Sequence, residues 1–243
     1  MRLRQFLRKI HRWVGLLSAL WLLQLATTGL LLQHADDFGL SHRYVSSATV
    51  LQWFDYGKNQ TAWEVNEEKL YQIDDQIIMS ENKAELTAQI ISVVKDNEQW
   101  LVATKNSITW LNPQAEIINQ IDDFDGLPTP IKNINILKGK LNVMTEKGSF
   151  SQNEQGEFLQ HMYPAIESET PSRPLTSKES SEIIPLAFEN KLSYDKVIYA
   201  IHSGLKGIPP LNTFSALALI YLSLSGIYLF LKPSFRRKRK HPN

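Results

Sequence analysis

Two uncharged apolar spans, Trp13–Leu32 and Leu211–Leu231, stand almost at the ends of this chain and constrain its fold more than anything between them. They are 20 and 21 residues long and contain no Asp, Glu, Lys or Arg. About 20 residues at ~1.5 Å rise cross a hydrocarbon layer of ~30 Å. Their polar residues, Gln24, Thr27, Thr28, Ser215, Ser223 and Ser225, can bond to the helix backbone or to a neighbouring helix. A signal peptide is the rival reading of the first span, because five of the first twelve residues are Arg or Lys. The span exceeds the ~7–15 apolar residues of a signal, and Leu32-Gln33-His34-Ala35 offers no A-x-A cleavage pattern, so an uncleaved anchor is expected.

Charge gives the expected orientation. Arg2, Arg4, Arg8, Lys9 and Arg12 precede the first span; Lys232, Arg236, Arg237, Lys238, Arg239 and Lys240 follow the second. The positive-inside rule puts both termini in the cytoplasm. All 25 acidic residues lie between Asp36 and Asp195, with the 15 basic residues left of 26 once the 11 in the tails are removed, so the loop carries about −10. Beside a membrane span, the basic tails read as topology signals and anionic-lipid contacts rather than nucleic-acid patches. The absence of cysteine rules out disulfides, thiolate metal ligands and a thiol nucleophile. The setting implied is a bacterial inner membrane, with residues 35–207 periplasmic.

The loop contains an internal repeat. Val102–Glu116 aligns without gaps with Val143–Glu157, 41 residues on, with identities at Val102/Val143, Thr104/Thr145, Asn112/Asn153, Gln114/Gln155 and Glu116/Glu157. A fainter copy runs from Tyr71 to Glu85, and Val45–Phe54 is a candidate fourth. Each copy reads as strand, short turn, strand and polar turn, and the spacing is that of propeller blades. Generic antiparallel hairpins, an open stack and a closed ring all fit this pattern. No catalytic motif appears. Asp122-Asp123-Phe124-Asp125-Gly126 lacks the alternating ligands of a calcium loop and reads as a surface turn. His42 and His161 stand alone, and Glu167–Glu182, rich in Ser, Thr, Glu and Pro, reads as a flexible linker.

More specific chemistry lies where histidine meets the bilayer, since ionisable side chains are costly there. His11 opens the first span. Helical spacing puts His11, Gly15, Ser18, Leu22, Ala26 and Gly29 on one stripe, and Ser215, Ala218, Leu222, Ser225 and Gly226 on another. Small-residue stripes suit mutual packing of the helices, and they also leave room for a flat macrocycle. His34 closes the first span. His202 lies on the apolar face of Tyr194–Leu205, which reads as an interfacial helix ending at Gly204–Gly207 before Pro209-Pro210. His34 and His202 are expected at one depth, where two imidazoles can ligate one haem iron. His11 and His34 are 23 residues apart, ~35 Å along a helix, and cannot share a metal.

Four segments carry a family resemblance: Arg8-Lys9-Ile10-His11-Arg12-Trp13-Val14-Gly15, Thr27-Thr28-Gly29-Leu30-Leu31-Leu32, Ile201-His202-Ser203-Gly204 and Leu224-Ser225-Gly226-Ile227-Tyr228-Leu229-Phe230-Leu231-Lys232. In this order they resemble the PepSY-associated transmembrane helix family, over both membrane segments but not the middle. The resemblance implies an inner-membrane protein of iron-uptake or redox loci, whose larger four-helix relatives are haem-containing ferric-siderophore reductases. It makes His11 and His202 candidate ligands of haem b; His34 is added from its depth alone. The chain departs from those relatives in having two spans and a β-repeat insert, and a homodimer would restore four helices.

The fold expected is therefore membrane α plus β, two transmembrane helices flanking a mainly antiparallel periplasmic β domain with propeller-like hairpin repeats. The expected segments are a basic tail 1–12, a span 13–34, a β-repeat domain 35–166, a linker 167–193, an interfacial helix 194–207, a span 208–231 and a basic tail 232–243. The function expected is haem-linked electron transfer in iron uptake or membrane redox, possible for a subunit of a ferric reductase. The alternative is a non-catalytic anchor presenting the β domain to a partner or an assembling complex. The partners implied are the bilayer and a membrane protein or second copy, with no nucleic acid.

Overall fold

The computed structural model describes residues 2–161, 170–204 and 211–238. The chain forms two compact units, residues 1–44 with 190–243, and residues 45–189. The first holds helix α1 (Arg2–Gln33), a 3-10 turn (Leu40–His42), helix α4 (Tyr194–His202) and helix α5 (Leu211–Lys238). The second begins with helix α2 (Ala48–Trp53), contains thirteen strands among the described residues, and ends with helix α3 (Ser177–Ala187).

The strands make three antiparallel sheets among the described residues. In the first, β1 (Gln60–Val65), β2 (Glu68–Ile73), β3 (Gln76–Met79) and β4 (Asn82–Glu85) run up and down in sequence order, and β13 (Ser172–Arg173) adds to β1. The second is β5 (Ser92–Asp96), β6 (Gln99–Ala103), β7 (Ser107–Leu111) and β8 (Ile117–Asp122). The third is β9 (Ile131–Leu137), β10 (Lys140–Thr145), β11 (Gly148–Gln152) and β12 (Phe158–His161). Side chains alternate between the faces of a strand, so the middle sheet serves two cores. Trp100 and Val102 pack with Trp63, Leu70, Ile77 and Val93. Leu101 and Ala103, one residue out of phase, pack with Ile131, Ile134 and Val143.

The repeat identities hold the turns of these sheets. Asn112 Oδ1 accepts from the backbone N–H groups of Gln114 and Glu116, and Asn112 Nδ2 donates to Glu116. Asn153 makes the same three bonds to Gln155 and Glu157. Thr104 and Thr145 hold the preceding hairpin turns through their hydroxyls, while Val102 and Val143 are fully buried. Polar turn residues and buried valines are thus what the repeat preserves. Val45–Phe54 is not a further copy: it contains α2, with Leu51 buried, because its apolar residues lack the period of two that a strand needs.

The expected linker is also corrected. Thr176 caps α3 by accepting from the backbone N–H of Glu179, and the Glu179 carboxylate accepts from the Thr176 N–H in return. This capping box starts a helix that buries Ile183, Ile184 and Ala187. Arg173 donates twice to Glu179, at 2.6 and 2.7 Å, and Lys69 Nζ lies 3.2 Å from it. The Arg173 bonds, with those from Thr176 and Lys69, hold the Glu179 carboxyl well below the usual carboxylate range against the opposing effect of desolvation. The first part of that linker, through residue 169, lies outside the described residues, as do 205–210 and the tail beyond Lys238.

The basic tails are not separate segments. Both α1 and α5 run through them, from Arg2 and to Lys238, since Arg and Lys are good helix formers. Among the described residues, Arg8–Gln33 is the one stretch long and apolar enough to cross a membrane, and Thr213–Tyr228 of α5 is a shorter apolar stretch.

Candidate functional site

The first unit is built on α1, which packs against both α4 and α5. Small and hydroxyl-bearing residues face inward: Ser18, Thr28 and Ser225 are buried, whereas Leu17, Leu23 and Phe214 are 67, 65 and 64% exposed. A water-soluble helix bundle does the opposite; lipid is the solvent that removes the cost of this surface. The inward line on α1 differs from the expected stripe. Leu22 and Ala26 face outward, and Trp21, Leu25 and Thr28 take their place. The reason is that α1 has two neighbours: α4 covers the Gln24–Gly29 stretch, which turns the line around the helix.

Each of two histidines is seated on a hydroxyl–glycine pair of another helix. His11, on α1, places Nδ1 2.8 Å from Ser225 Oγ on α5, and its Cε1 lies 3.7 Å from where a Cβ on Gly226 would sit. His202, in the last turn of α4, places Nδ1 2.9 Å from Thr28 Oγ1 on α1, and its Cε1 would lie 3.4 Å from a Cβ on Gly29. The four sequence segments therefore work as two pairs. The glycines let the rings lie close to the helix: a Cβ would just reach the ring at Gly29, and a larger side chain would press on it, while Gly226 has more clearance. Gln24 Nε2 donates to the Ile201 carbonyl at 3.3 Å, which fixes the end of α4 beside the second seat. Gly15 meets Leu222 across α1 and α5.

The two seats lie at different levels of α1. His11 and Thr28 are 17 residues apart, or ~26 Å of helix. His34 belongs to neither seat. Its Nδ1 is 2.8 Å from Asp37 Oδ2, its ring meets Phe38 edge-on, and its side chain is 44% exposed. His202 meets α1 at Thr28 and Gly29, six residues before His34. His42 ends the 3-10 turn, and the backbone of His161 pairs with Ser149 in the third sheet. At the Asp122–Gly126 turn the carboxylates of Asp122 and Asp125 cap the local backbone.

The PepSY-associated TM region model matches residues 1–232. The chain belongs to the PepSY-associated TM family. Its membrane association follows from that membership and from the apolar exterior of α1 and α5. The matched range runs through the middle domain, which the four motifs leave out. No curated protein matches the chain. Among solved structures, the extracellular domain of BT4673 from B. thetaiotaomicron is 14% identical with a TM-score of 0.33, over 44% of this chain and 16% of that one. BBS1N in complex with ARL6DN is 16% identical with a TM-score of 0.31, over 43% and 40%. A protein of unknown function from Bacteroides caccae is 16% identical with a TM-score of 0.30, over 40% and 42%. This PepSY-associated chain thus spans less than half the length of each, and likeness of that degree carries no argument about its role.

The chemistry of the two seats is that of an imidazole with one nitrogen committed to a hydroxyl. Each ring has its Nδ1–Cε1 edge held by a neighbouring helix, which leaves Nε2 as the nitrogen free of that seat. A hydroxyl on Nδ1 is the kind of partner that orients a metal-ligating imidazole. One chain offers one imidazole at each level.

Proposed function

We propose that this PepSY-associated protein is a haem b-linked electron carrier of the bacterial inner membrane, serving ferric iron uptake or a related membrane redox step. Its two helices would both cross the bilayer, with cytoplasmic termini and residues 35–207 in the periplasm. The observation that carries the reading is the pair of histidine seats, ~26 Å apart along α1, each holding one imidazole by the edge away from Nε2. Bound haem would supply one-electron chemistry at each level. The protein's part is to orient His11 and His202 and to exclude water with the leucine-rich exterior. A second copy of the chain, or another membrane protein, would complete the binding site at each level. His34, with Asp37 on Nδ1, is a subsidiary ligand candidate at the outer edge.

The three up-and-down sheets are consistent with propeller blades, and closing a ring would require more of them. The test is the absorption spectrum of the full chain purified in detergent after expression with added haem. A Soret band with the split visible bands of a reduced b-type centre is expected. Its absence, with a monodisperse and helical protein, would remove the proposal and favour a non-catalytic anchor.

A further inference from the structure

Each seat hydroxyl owns a single proton, and that limits the tautomer of the histidine it meets. Thr28 Oγ1 lies 2.9 Å from the Gln24 carbonyl oxygen and 3.2 Å from that of Leu25. Ser225 Oγ lies 3.1 Å from the Leu222 carbonyl oxygen. A carbonyl only accepts, so these bonds consume the hydroxyl proton, in the back-bonding habit of Ser and Thr in helices. The oxygen then has only lone pairs to offer the imidazole. Gln24 Nε2 also points at Thr28 Oγ1, at 3.4 Å, a second donor directed at the same lone pairs.

With Nδ1–H donating, each hydroxyl keeps its bond to its own helix and gains one from the ring. Turning the hydroxyl to donate to a bare Nδ1 forfeits the bond to its own helix, and in lipid no water replaces the loss. We infer that Thr28 and Ser225 are positioning residues that hold His202 and His11 in the Nδ1–H tautomer, each presenting a proton-free Nε2. That is the reverse of the tautomer that a free histidine favours in water. The base so formed is suited to a Lewis-acid iron centre or to a proton. This deepens the haem reading, on which it rests only for what Nε2 receives. The same arrangement occurs at both levels, built by different helices from different hydroxyls, so the two seats test each other.

The experiment is long-range proton–nitrogen NMR on the full chain in detergent, free of haem, with nitrogen-labelled histidine at about pH 9, above the ordinary imidazole range. Signals are assigned by their loss in His11→Ala and His202→Ala. Both residues are expected in the Nδ1–H pattern. Thr28→Val should convert His202 alone to the Nε2–H pattern, Ser225→Ala should convert His11 alone, and Thr28→Ser should change neither. An Nε2–H pattern for either histidine in the wild-type chain overturns the inference at that seat. So does an Nδ1–H pattern for His202 that survives Thr28→Val. If Thr28→Val fails to fold, the wild-type and Thr28→Ser patterns still decide. A missing Soret band with Nδ1–H rings would sink the haem reading and leave this one standing; a Soret band with Nε2–H rings would do the reverse.

Discussion

In the unit formed by residues 1–44 and 190–243, the buried side chains include Ser18, Thr28 and Ser225, and the exposed ones include many Leu, Phe, Ile, Tyr and Trp. In residues 45–189 the buried ones are Trp63, Leu70, Trp100, Ile108 and Ile134. The same chain thus uses two solvents. Where water is the solvent, apolar area removed from it supplies the stability, at about 25 cal/mol per Å². Where lipid is the solvent, leucine gains little by turning inward, and close approach through glycine with a few hydrogen bonds is what remains. The chemistry follows that division. The β domain spends its polar groups on turns and caps, and the helix unit seats each histidine on a neighbouring helix.

The largest expected effect breaks one side of this comparison only. Trp100→Ala should cost the β domain about 3–5 kcal/mol, because the ring is fully buried between two sheets. Urea unfolding monitored by the remaining tryptophans would show it, with the helical circular dichroism retained. A mild effect would mean that the stacked core is not where the domain's stability lies. In the helix unit the equivalent change is an addition rather than a deletion. Gly29→Val should cost about 1–3 kcal/mol by overpacking the His202 ring. Gly226→Ala, with its 3.7 Å clearance, should be tolerated. Thermal denaturation in detergent would rank the two, and equal tolerance would deny that the rings are seated on glycine.

Glu179→Gln should remove about 1–2 kcal/mol at neutral pH by weakening its charge-assisted bonds to Arg173 and Lys69. The folded-state pKa of Glu179 is depressed, so its contribution is complete above the ordinary carboxylate range. It is lost as pH falls from there through the folded value. Wild type and Glu179→Gln should therefore converge in stability on acidification; a gap that widens would contradict the assigned ion pair. The smallest effect is expected from Asn112→Ala or Asn153→Ala, about 1 kcal/mol each, through loss of the side-chain bonds that shape the turn. Matching losses at the two positions would confirm that the repeat is a repeat of turn chemistry.

Much of this was readable along the chain because it is local. Four of the five repeat identities are turn residues whose partners lie two to four positions away, and the apolar stretch of α1 needed only length and charge. The seats were not readable as seats. His11 meets Ser225 across 214 positions and His202 meets Thr28 across 174, so each motif was visible while its pairing was not. The expected stripe erred at Leu22 and Ala26 because a single helical period assumes one neighbour, and α1 has two. Helix α3 was hidden by a composition that resembles linker, although Thr176 and Glu179 stand at capping-box spacing. Depth alone suggested a partnership of His34 with His202, and depth says nothing about which side of α1 a neighbouring helix covers.

The most direct test of the histidine seats is haem content per chain in the wild type, His11→Ala, His202→Ala and His34→Ala, each reconstituted with haem in detergent. Haem in the wild type, with a separate partial loss in His11→Ala and in His202→Ala and a smaller loss in His34→Ala, is the predicted result. Haem retained in both seat variants and lost in His34→Ala would contradict it.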